Sequence, residues 1–167
     1  NYKKAVHLNN GDSQLHYKIA CTYMNEGNWG SAVKNLDVAM RMHRLQPEYN
    51  LALGQCYMEM GKLDDAITYF GNVVRVRPKN LNGWMELLKC LYKAELFEEA
   101  LEYAGFAYEQ TDGKAIFLFY KSAILFAMGK SKEAILQLEN GMQINPKLIK
   151  KLIELNPSIL QSQQVVD

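Results

Sequence analysis

Apolar residues recur along this chain at spacings of three and four, in runs of helical period separated by short polar breaks. Strict alternation, the mark of a half-buried strand, is absent from the pattern. The breaks are informative because they repeat. Tyr57 to Phe70 reads YMEMGKLDDAITYF, and 34 residues earlier, from Tyr23, the chain reads YMNEGNWGSAVKNL. The same 34-residue step forward gives LYKAELFEEALEYA from Leu91 and then LFAMGKSKEAILQL from Leu125. Each unit predicts two helices joined by a tight turn.

Aligned at this period, small residues fall into columns. Gly27, Gly61 and Gly129 share one, in which Glu95 is the exception. Ala32, Ala66, Ala100 and Ala134 fill a second, and a third holds Ala5, Ala39, Val73, Ala107 and Gly141. Bulky residues accompany them: Ile19, Leu53 and Leu87; Tyr23, Tyr57, Leu91 and Leu125; Tyr2, Leu36, Phe70 and Leu138. The glycine supplies the positive φ that ends a helix in a tight turn. Alanine just inside the second helix lets the pair approach closely, so the bulky columns meet. Glu95 predicts a strained or altered turn in the third unit. Pro78 and Pro146 stop second helices, and Pro47 suits the first turn of a first helix.

Period and residue identity together resemble the tetratricopeptide repeat, a 34-residue helix-turn-helix unit. Leu53, Gly54, Tyr57, Gly61, Ala66, Phe70 and Pro78 carry the resemblance most fully, and Trp84 supplies the family's tryptophan. The resemblance implies an all-α fold, an α-solenoid of stacked repeats with a C-terminal capping helix. The expected frame is repeats over 13–46, 47–80, 81–114 and 115–148. Residues 1–12, with Tyr2 and Ala5 in phase, read as the second helix of a preceding repeat, so the chain is expected to be part of a longer protein. Residues 149–167 read as the capping region, with a helix from Lys147 to Leu155 and, after Asn156-Pro157, a short one from Ser158 to Gln163.

In this family the first helix of each pair lines a concave face. Its face columns in the four rows are Gln14, Tyr17, Cys21 and Met24; Glu48, Leu51, Gln55 and Met58; Asn82, Met85, Lys89 and Tyr92; and Ile116, Phe119, Ala123 and Phe126. They differ from row to row, which a binding surface tolerates and a packing seam does not. The expected partner-binding groove comprises Tyr17, Cys21, Met24, Leu51, Gln55, Met58, Met85, Lys89, Tyr92, Phe119 and Phe126. Methionine and aromatic side chains suit an apolar peptide or helix of another protein. The competing reading is packing between repeats, strongest in the fourth row, where C-terminal helices would cover Phe117, Phe119, Tyr120 and Phe126. Some family members clamp a partner's terminal carboxylate, but Tyr17 and Cys21 stand where the leading lysine-asparagine pair would be. Lys89 and Lys93 read as a solvated helix face.

Composition narrows the function classes. A net charge of +1 over 167 residues gives no general pull toward nucleic acid or acidic membrane. No apolar run approaches the roughly 18 residues of a membrane span. Cys21, Cys56 and Cys90 are spaced by the repeat itself, so they read as small half-buried side chains and favour a reducing compartment. Gly129-Lys130-Ser131 mimics the end of a phosphate loop, but Ile124 stands where its first glycine belongs. His7, His16 and His43 lack metal spacing, and His16 shares a column with Trp84, which predicts half-burial. Asp64-Asp65 and Glu98-Glu99 open second helices, where carboxylates favour the helix dipole. No cofactor, metal or catalytic residue is expected. The expected function is therefore a non-catalytic, cytoplasmic interaction scaffold. Self-association into a homo-oligomer, and service as the docking segment of a larger enzyme or assembly protein, stand as alternatives.

Overall fold

The computed structural model describes residues 10–148 together with 150, 153 and 154. Eight α-helices occur among them: α1 (Asn10–Asn25), α2 (Trp29–Met42), α3 (Pro47–Glu59), α4 (Leu63–Val76), α5 (Leu81–Lys93), α6 (Phe97–Gln110), α7 (Ile116–Ala127) and α8 (Ser131–Ile144). No strand occurs among the described residues. A 3-10 turn covers Pro146–Leu148, where the capping helix was expected to begin. Residues 150, 153 and 154 are helical. Tyr2, Ala5 and the second terminal helix expected from Ser158 to Gln163 lie outside the described residues.

The turns follow one rule. Gly27, Gly61 and Gly129 have φ of 76°, 78° and 80°. The amide after each donates to a carbonyl five residues back: Asn28 to Tyr23 at 2.8 Å, Lys62 to Tyr57 at 2.8 Å and Lys130 to Leu125 at 2.9 Å. The glycine amides themselves donate to Met24, Met58 and Phe126. This pair of bonds satisfies carbonyls that a helix end would otherwise orphan. In the third unit Glu95 takes φ 60°, and Leu96 donates to Leu91 at 3.0 Å. The turn is therefore unaltered, and the strain expected there is confined to one non-glycine residue in left-handed backbone.

The chain divides into two compact units, Asn1–Gly83 and Trp84–Asp167. In the first, α1 packs along α2 and α3 along α4, and α2 also packs on α3. Its core joins Ala20, Ala32, Leu36, Ala52, Leu53 and Cys56. In the second, α7 packs along α8 and on α6. The alanine column behaves as expected, since Ala32, Ala66, Ala100 and Ala134 are all 0 % exposed. Glycine does the same work at Gly54, where an added Cβ would sit 2.5 Å from Phe70 Cε1.

Polar residues pin the helices of a hairpin together. His16 Nδ1 lies 3.2 Å from Asn35 Oδ1. Asn50, fully buried, donates to the carbonyls of Gln46 and Arg44 and accepts from Asn72 Nδ2 at 3.1 Å. In the second unit the same column holds Trp84, whose ring centroid is 6.5 Å from that of Tyr103. Two burial expectations need correcting. His16 is buried rather than half-buried, with its Nδ1 held by Asn35 inside the hairpin. Cys56 and Cys90 are also fully buried, and only Cys21 is half-buried.

Candidate partner-binding faces

The first helix of each hairpin turns its packing columns inward, so the face columns emerge at the margin of the core. In the first unit Tyr17, Cys21 and Met24 on α1 are half-buried, as are Leu51, Gln55 and Met58 on α3. Tyr17 and Met24 pack against the buried cluster around Leu36 and Leu53. The Tyr17 ring lies 5.2 Å from that of Tyr49, whose hydroxyl is 3.0 Å from the Ser13 hydroxyl. Burial pushes the Tyr17 hydroxyl up to about 12, helped by the neighbouring Cys21 thiol and its hydrogen bond, and by Glu48. Tyr17 is therefore neutral at ordinary pH, and apart from the exposed Glu48 the face is apolar or weakly polar, a surface on which apolar groups lose little by displacing water.

The second unit presents a more mixed face. Met85, Lys89 and Tyr92 on α5 are half-buried. Lys89 Nζ lies 3.5 Å from Glu86 Oε1, and Tyr92 meets the Phe97 ring edge-on at 5.5 Å. The α7 columns do not behave alike. Phe126 is half-buried, but Ile116, Phe119 and Ala123 are 6 %, 1 % and 0 % exposed. Phe119 is a core residue, grouped with Ala115, Ala123 and Leu138 and overlaid by Tyr92, Phe126 and Leu148. Gly141 is the reason: a Cβ there would lie 2.8 Å from Phe119 Cε2, so the missing side chain makes room for the ring. Phe119 thus lies in the core of the second unit and not on the face where its column was expected.

Sequence reasoning passed over one grouping. Lys89, Tyr92, Lys93, Glu95, Phe97, Tyr120 and Glu154 line a single cavity of about 550 Å³ in the second unit. Glu95 was visible as the exception in the glycine column. Nothing in the period, however, brings Tyr120 and Glu154 to Lys89 and Lys93. Among the described residues no group of three or more His, Cys, Asp or Glu is placed to hold a metal ion. No helix among them is long and apolar enough to cross a membrane.

These features define a helical-hairpin repeat protein. The tetratricopeptide repeat model matches residues 17–70 and 51–114, more than half of the chain, and the chain belongs to that family. No curated protein matches it. Among solved structures it is similar to MamA from Desulfovibrio magneticus, at 18 % identity and TM-score 0.69, covering 86 % of this chain and 83 % of that one. It is similar to a thermophilic tetratricopeptide-repeat protein of Thermus thermophilus, at 19 % identity and TM-score 0.62, with 88 % and 82 % coverage. A tetratricopeptide repeat protein of Parabacteroides merdae gives a TM-score of 0.72 at 15 % identity, covering 87 % of this chain and 60 % of that one. At these identities the likeness speaks for the fold alone. The expected class, an all-α array of tetratricopeptide repeats, is the observed one.

Proposed function

We propose that this chain is a non-catalytic interaction module that holds an apolar segment of another protein against the first-helix faces of its repeats. The observation that carries the reading is on α1 and α3. Met24 and Met58 occupy the same place in successive repeats and stay half-buried, while Leu53, Cys56 and Ala20 beside them are sealed in the core. Methionine adapts its shape to irregular apolar partners at little conformational cost. Tyr17 and Leu51 extend the same surface. Affinity would come from covering these side chains, and rigidity from the buried alanine and glycine contacts beneath them. The test is capture with photo-crosslinking, using the Met24→Ala, Met58→Ala double variant beside the parent chain. A partner crosslinked through the α1 and α3 faces is expected to lose roughly tenfold or more in affinity, as for two good anchors. Helical content should be unchanged. Equal capture by both chains would refute the assignment.

A further inference from the structure

The cavity in the second unit carries more chemistry than a shallow gap between helices needs. Three rings face it, Tyr92, Phe97 and Tyr120, and its charged members are Lys89, Lys93, Glu95 and Glu154. The charges are not balanced once their partners are counted. Lys89 is neutralised by Glu86 at 3.5 Å, outside the lining. Lys93 is exposed to solvent. Glu95 and Glu154 are exposed as well, so the unpaired lining charges are two carboxylates against one cation. Negative charge from Glu154, and from Glu86 outside the lining, is felt at the Tyr120 hydroxyl, which is pushed up first by burial and then by these two carboxylates.

Glu95 points the same way from independent ground. Three other repeats place glycine at this turn with φ near that of Glu95, and the turn hydrogen bonds are the same in all four. The fold therefore gains nothing from a side chain here and bears the strain of left-handed backbone. What the side chain does supply is a carboxylate on the cavity wall, beside Tyr92 and Phe97.

We propose that this cavity is a binding site for a basic side chain of a partner protein, an arginine, stacked on the Tyr92 and Phe97 rings and held by the Glu95 and Glu154 carboxylates. A planar guanidinium suits both demands, since it stacks on aromatic faces and donates in a fork to carboxylates. The proposal rests on the reading of the chain as a protein-interaction module and gives that reading a specificity. It concerns the second unit only, so it fails or stands separately from the methionine face of the first.

The test is an NMR titration of the isotope-labelled full chain with N-acetyl-arginine methylamide, with N-acetyl-glutamate methylamide as the oppositely charged probe. The arginine probe should give saturable shifts at Tyr92, Glu95 and Phe97, and the glutamate probe none. Glu95→Gly should raise the melting temperature, because the strain is relieved, while weakening the arginine probe about fivefold. Glu95→Gln, which keeps the side chain and loses the charge, should weaken it similarly without that rise in melting temperature. Tighter binding of the glutamate probe would mean that the lysines rule the cavity and would overturn the proposal. So would unsaturable shifts with the parent chain, or parent affinity in both Glu95 variants.

Discussion

Gly54 has no side chain because Phe70 occupies the space. A Cβ at Gly54 would fall 2.5–2.8 Å from three atoms of the Phe70 ring, inside any tolerable contact. Phe70 is 0 % exposed and belongs to the packing column of its own hairpin, so the ring has nowhere to retreat. Gly54→Ala is therefore expected to destabilise the chain by roughly 1–3 kcal/mol through overpacking, although alanine is the better helix former. Urea denaturation would show this as a lower midpoint, and an unchanged or raised midpoint would contradict the packing argument. Gly141 obeys the same steric rule with a different outcome. There the vacancy is filled by Phe119, a residue whose column reads as a binding face in the sequence. A column assignment records where a residue starts from on its helix. Which way a large ring then leans depends on the volume that its neighbour leaves empty.

Hairpins are built from elements that need one another. The second helices α4 and α8 each carry an apolar stripe too narrow to be stable alone, and helices of this length are marginal in water. Pairing with α3 and α7 buries those stripes. Pairing also creates polar obligations, and Asn50 meets one of them. Its amide donates to the Gln46 and Arg44 carbonyls at the entry to α3, and its oxygen accepts from Asn72 on α4. It thus ties the loop before one helix to the side of the next. Asn50→Ala is expected to cost about 1–3 kcal/mol, since it leaves the Arg44 carbonyl and the Asn72 amide without this partner, while the Gln46 carbonyl keeps the Asn50 backbone N–H. Thermal unfolding checks the size. Amide exchange at residues 44–50 checks the mechanism, because loss of the tie should raise exchange there first. A uniform change along the chain would argue that Asn50 acts as general packing. This tie was hidden in the sequence, where Asn50 merely fills a column shared with His16, Trp84 and Leu118. His16 and Asn50 serve by hydrogen bonds the end that Trp84 serves by ring packing, and period analysis scores the difference as a mismatch.

At the scale of the whole molecule, each compact unit contains one fully buried thiol, Cys56 in the first and Cys90 in the second. Burial pushes both up to about 11 from an ordinary value of 9.0. Below pH 9 folded and unfolded chains keep these protons alike, so the thiols leave stability unchanged there. Between about 9 and 11 the unfolded chain releases them and the folded chain does not, which favours unfolding. Stability should therefore fall over this window, by an amount on the order of 2 kcal/mol for each thiol. Urea midpoints at pH 8 and pH 10.5, compared with those of a Cys56→Ala, Cys90→Ala chain, isolate the effect. The variant should show the shallower decline. An equal decline would place the loss elsewhere, for instance on the tyrosines. The same burial keeps both thiols unreactive, so a thiol reagent should label Cys21 first.

The sequence by itself determined the period, the helical hairpins, their glycine turns and the alanine columns. Those features depend on local backbone sterics and on side-chain spacing along one helix, both of which are written in order along the chain. It also marked Glu95 as anomalous. Only the tertiary structure decided that Phe119 is core while Met24 and Met58 stay at the surface, and that Glu95 shares a cavity with Tyr120 and Glu154. Those outcomes turn on the volume left by residues far away in sequence, and on where a terminal segment returns against the hairpins. Volume complementarity between distant positions has no period, and so it leaves no trace in the spacing of apolar residues.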